Sequence, residues 1–97
     1  MAGQGEKKNE KRDPTRPVKV FRVRGVSASV FENASDDPAR PGVWYRVSLQ
    51  RTYKQGDEFK TTSSFGRDDI PVARHVLRLA WEFVLQAEAD QRTDHQE

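Results

Sequence analysis

The hydrophobic pattern of this chain changes period once, at Gly66, and that change constrains the fold more than any other feature. Before it, from Val18 to Phe65, apolar and polar residues alternate, the spacing of strands buried on one face. After it, apolar residues recur every third or fourth position, the spacing of an amphipathic helix. Strands followed by a single helix predict an α+β domain in the order β-β-β-β-α: an antiparallel four-stranded sheet packed by one C-terminal helix.

VKVFRVR (18–24) reads as the first strand, Gly25 as a turn, and VSASVFE (26–32) as the second strand. The period of two sends Val26, Ala28 and Val30 to one face and Ser27, Ser29 and Phe31 to the other. NASDDPARPG (33–42) is a loop, because Asn, Ser and Asp favour turns and Pro38, Pro41 and Gly42 cannot continue a ladder. In VWYRVSLQRTY (43–53) Val43, Tyr45, Val47 and Leu49 face one way, and Trp44, Arg46, Ser48, Gln50 and Thr52 the other. KQGD (54–57) is a hairpin turn, and EFKTTSSF (58–65) is a fourth strand with Phe59, Thr61, Ser63 and Phe65 on its more apolar side. Asp68 or Asp69 can accept the free N–H groups of a helix start, and Pro71 is harmless in a first turn. The helix is expected from about Asp69 to about Glu88.

Ninety-seven residues, 34% hydrophobic and 33% charged, fit one domain with a small core. Residues 1–17 hold no branched aliphatic or aromatic side chain and two prolines, so they read as a disordered basic arm. Residues 18–88 form the single β-β-β-β-α domain, and 89–97 a frayed tail. No run approaches the ~20 apolar residues of a membrane span, and MAGQGEKKNEKR lacks the apolar stretch of a secretory signal. Cysteine is absent, which removes disulfides, thiolate nucleophiles and cysteine-ligated zinc. The expectation is a cytoplasmic protein with no membrane partner.

The net charge of +2 hides an uneven distribution. Residues 1–17 carry five Lys/Arg against three Asp/Glu, 18–67 nine against five, and 68–97 three against seven. A basic sheet and an acidic C-terminal region follow, a separation that bears on partners more than the total does.

The helix has more apolar surface than one sheet can cover. With Ile70 at zero and about 100° per residue, Arg74, His75, Arg78, Glu82 and Gln86 fill one arc of about 120°. Val72, Val76, Leu79 and Phe83 form one apolar side, and Ile70, Ala73, Leu77, Ala80, Trp81 and Val84 another. Two coverings suit the second side: a second copy of the chain, with Ala73, Leu77, Ala80, Trp81 and Val84 as a homodimer interface, or loop 33–42 or the arm folding over it. A folded region this small favours the homodimer, since one small core rarely supplies more than ~3–5 kcal/mol.

With the aliphatic positions under the helix, the opposite sheet face would present Arg22, Arg24, Ser27, Ser29, Phe31, Trp44, Arg46, Ser48, Gln50, Thr52, Lys60, Thr62 and Ser64, with no carboxylate among them. Cations and hydroxyls suit phosphate, and exposed rings suit unpaired bases. The candidate binding residues are Arg22, Arg24, Arg46 and Lys60 for phosphates, Phe31 and Trp44 for bases, with Ser48 between them. Lys7, Lys8, Lys11 and Arg12 of the arm would add nonspecific attraction. The same composition also suits a solvated sheet surface, and Trp44 could instead cover a core edge or a subunit contact.

The strings KVFRVRGVSASVFEN and WYRVSLQRTYKQGDEFKTTSSFGRDDIPVARHVLRLAWEFV resemble a group of small prokaryotic proteins. They share a VSASV-E-N strand, an R-Y-K-(D/Q)-G turn and an S-F-x-x-D-D-(L/I)-P helix start. In element order that group is similar to the single-stranded-DNA-binding transcriptional coactivators of the positive-cofactor type and to the Whirly proteins. The resemblance implies a helix-built dimer whose curved sheets bind single-stranded DNA through basic and aromatic residues, and a role in transcription regulation.

Catalysis finds little support. His75 lies on the polar helix arc and His95 in the tail, neither with a partner at metal or nucleophile–base spacing. Asp68–Asp69 reads as a helix cap, Asp36–Asp37 as turn formers, and Gly25, Gly42, Gly56 and Gly66 are too isolated for a phosphate loop. The expectation is a non-enzymatic protein with no catalytic residue, metal or cofactor. Its partner is single-stranded DNA or RNA; the alternative is a protein-interaction or structural homodimer.

Overall fold

The computed structural model describes residues 15–39 and 41–95. The first 14 residues of the expected arm, with Lys7, Lys8, Lys11 and Arg12, lie outside them. Four strands, β1 (Lys19–Val23), β2 (Val26–Ala34), β3 (Val43–Gln55) and β4 (Glu58–Thr62), pair antiparallel in the order β1-β2-β3-β4. A 3₁₀ turn at Arg67–Asp69 leads into α1 (Ile70–His95), the one α-helix among the described residues. The α+β order read from the change of period is the observed one.

Two short turns set the register. Arg24 and Gly25 both take positive φ (50° and 83°), the twist a two-residue hairpin requires. Arg24 therefore sits at the tip of the β1–β2 hairpin and not on the sheet face. The Gly56–Asp57 turn, with Gly56 at φ 66°, pairs Gln55 with Glu58. That register puts Lys60 opposite Tyr53 and Thr62 opposite Arg51, on the helix side, and turns Phe59 outward beside Lys54. The expected facing of β4 is thus reversed: side-chain apolarity suggested Phe59 inward and Lys60 outward, but a two-residue turn carries parity across unchanged. Lys60 spends its ammonium on Glu58, at 3.6 Å.

The core is small. Val26, Ala28 and Val30 of β2 are fully buried against Ala73, Val76 and Ala80 of α1. Phe21, Val23, Tyr45, Leu49, Phe65, Val72, Phe83 and Val84 close around them, with Phe21 and Phe83 meeting edge to face at 6.2 Å. The helix rests on the seam between its two expected apolar sides, because alanines at 73 and 80 let its backbone approach the sheet. Ala73 and Ala80 are consequently core residues and are withdrawn from any subunit interface; Val84 packs against the same core.

At the helix start, the Asp69 carboxylate accepts the Gly66 N–H at 2.8 Å and the Arg51 guanidinium at 3.3 Å, while Arg51 also donates to the Ser64 carbonyl at 3.2 Å. At the other end, the chain continues past Glu88 as regular helix to His95 instead of fraying. Gln91 anchors it: its Oε1 accepts the Val43 N–H at 3.0 Å, across the start of β3. Gly42 makes room, since a Cβ there would lie 2.5 Å from that oxygen. No helix among the described residues is long and apolar enough to cross a membrane.

Candidate nucleic-acid interface

The face of the sheet turned away from α1 is defined by register. From β1 it takes Val20 and Arg22; from β2 Ser27, Ser29, Phe31 and Asn33; from β3 Trp44, Arg46, Ser48, Gln50, Thr52 and Lys54; from β4 Phe59 and Thr61. No Asp or Glu belongs to this set. Glu32, the nearest candidate by sequence, lies on the helix side, where it accepts the Tyr45 hydroxyl hydrogen at 2.9 Å.

Trp44 is about half exposed (51%) on this face, with Asn33 opposite it on β2. Among the described residues the buried Asn33 Oδ1 has no hydrogen-bond partner. One step along, Arg46 lies opposite Phe31 and holds its guanidinium 4.2 Å from the ring centroid, a cation–π stack. The stack occupies one side of Phe31 and orients Arg46. Beyond it run Ser48 opposite Ser29 and Gln50 opposite Ser27, a polar stretch in which Ser27 is buried between Gln50 and Arg22. The far end carries a second cation beside a ring: Lys54 Nζ is 5.8 Å from the Phe59 centroid, and Phe59 is 72% exposed.

Of the expected binding residues, Arg22, Phe31, Trp44, Arg46 and Ser48 share this face, Arg24 stands at its hairpin edge, and Lys60 is on the other side. Sequence reading missed Lys54 and Phe59. Local pattern assigns Lys54 to the turn and Phe59 to the more apolar side of the fourth strand; counting parity from Tyr53 through the hairpin places both outward.

A second surface is apolar. Ile70, Leu77, Trp81 and Leu85 are exposed on α1, Trp81 at 60%. Phe83 touches β1 through Phe21 and Gln91 reaches β3 through Val43, at about 220° and 300° around the helix axis. The exposed stripe at about 340–60° therefore lies to the side of, and beyond, the sheet-facing Val76, Ala80 and Ala73 at about 240–300°. Two of the five expected interface residues, Leu77 and Trp81, lie in it.

No protein-family model matches the chain, and neither a curated protein nor a solved structure does.

Proposed function

We propose that the face of the sheet away from α1 binds single-stranded nucleic acid, DNA in the first place, with little sequence preference. What carries the reading is one observation: Arg22, Arg46, Lys54, Trp44, Phe31 and Phe59 share a sheet face to which no strand contributes a carboxylate. Cations neutralise phosphates and release counterions, while exposed rings stack on bases that a duplex would keep hidden. In this account Trp44 and Phe59 take bases, Arg22 and Arg46 take phosphates, Phe31 holds Arg46 in position, and Ser48 bonds the backbone. The resemblance to single-stranded-DNA-binding coactivators supports the same ligand and extends the proposal to transcription regulation in the cytoplasm of a prokaryotic cell.

Trp44 provides the test. Titration of labelled single-stranded DNA and RNA of one sequence should give binding that Trp44→Ala weakens by about 1–3 kcal/mol. The side chain is half exposed, so the variant should keep its fold, which its thermal unfolding checks. Equal affinity of variant and native chain would remove Trp44 as a base-stacking site.

A homodimer accompanies this proposal. The Ile70, Leu77, Trp81 and Leu85 stripe favours it, because these four side chains are about half exposed and completing their burial would contribute, for each, about half of the 1.5–3 kcal/mol that a fully exposed one gains. If the chain dimerises but ignores nucleic acid, the stripe makes it an interaction or structural module instead.

A further inference from the structure

We infer that the outer face holds two stacking stations at opposite ends of β3, so that its ligand is a single strand long enough to bridge them, laid along β3, and not a mono- or dinucleotide. The inference rests on the nucleic-acid reading of that face and adds the length and path of the ligand.

The first station is Trp44 with Arg46 stacked on Phe31; the second is Phe59 beside Lys54. Both pair an exposed ring or a ring-held cation with positive charge, and both belong to the same parity of the same sheet. Trp44 and Lys54, which pairs with Phe59, are ten residues apart on one continuous strand, about 34 Å at ~3.4 Å per residue. Between them Ser48, Gln50 and Thr52 offer hydrogen bonds but no ring, with Ser27, Ser29 and Arg22 alongside. At the ~3.4 Å rise of a stacked strand about ten nucleotides cover that distance, and a stretched strand needs fewer. This falls within the ~4–16 nucleotides that single-strand-binding folds contact. Bridging makes the second contact intramolecular, so a strand reaching both stations gains affinity over one that reaches either.

The experiment compares three- and ten-nucleotide oligothymidylates, by anisotropy at low salt, on the native chain, Phe59→Leu and Phe59→Trp. Leucine keeps the apolar bulk of the exposed site and loses only the ring; tryptophan keeps a ring. The native chain should hold the ten-mer at least tenfold more tightly than the three-mer. Phe59→Leu should lose about fivefold or more on the ten-mer, with the three-mer within twofold, and Phe59→Trp should restore the difference. Equal affinity for the two lengths, or a ten-mer indifferent to Phe59→Leu, would overturn the two-station arrangement while leaving the nucleic-acid reading intact. Binding of neither length would overturn both.

Discussion

Gly25 shows how one position decides which side chains the outer face presents. It adopts φ 83°, and a Cβ there would lie 3.0 Å from the Thr52 carbonyl, while its own carbonyl accepts the Thr52 N–H at 2.8 Å. Gly25→Ala should therefore cost about 1–3 kcal/mol in denaturant unfolding, through strain that only a shift of β3 can relieve. A loss below a few tenths of a kcal/mol would mean that the hairpin tip is looser than described. Arg24 beside it occupies the left-handed region without being glycine, and this made it hard to read in advance. Arg-Gly is not among the dipeptides that announce a two-residue turn, so Arg24 looked like one more strand residue. Trp44 and Arg46 were legible for the opposite reason: they belong to the longest alternating run of the chain, where packing of Tyr45 and Leu49 against the core leaves them one direction to point.

At the scale of elements, the sheet and helix are joined by polar contacts at both helix ends. Asp69 alone receives the Gly66 amide and Arg51, whereas Asp68 pairs only with Arg67 and both of those side chains are 94% exposed. Asp69→Ala should lower stability by about 1 kcal/mol, and Asp68→Ala should leave the melting temperature where it was. Equal effects of the two would show that the cap contributes nothing specific. The sequence narrowed the cap to these two aspartates, since either could reach a free amide. The distal end was not legible at all. Gln91 holds Val43 across 48 positions of sequence, a contact that no local pattern encodes, so the final turns looked like a tail. β4 failed for a related reason: Phe59 is apolar enough to suggest the core, yet hairpin register overrides the preference of any one side chain.

The whole molecule carries two unlike surfaces on opposite sides of one thin sheet. One side is cationic and aromatic; the other bears α1, with an apolar stripe of the helix left uncovered. The change of period at Gly66 made the layers legible, and the surplus of apolar helix positions pointed to the stripe. Which residues compose it depended on helix rotation, set by how closely Ala73 and Ala80 approach β2. Sedimentation tests the homodimer: the native chain should sediment as a dimer, and Trp81→Glu, which alters a side chain exposed in the single chain, should give a folded monomer. A native monomer at all concentrations would show that the stripe is tolerated in water.

The central claim is that cations of the outer face meet phosphates, and the salt dependence of oligonucleotide affinity measures that most directly. Log affinity against log salt concentration should fall linearly, by about 0.7 for each phosphate neutralised. The paired substitution Arg22→Gln and Arg46→Gln should make the slope shallower by about 1.4. A slope near zero for the native chain, or one that the two substitutions leave unaltered, would contradict the account.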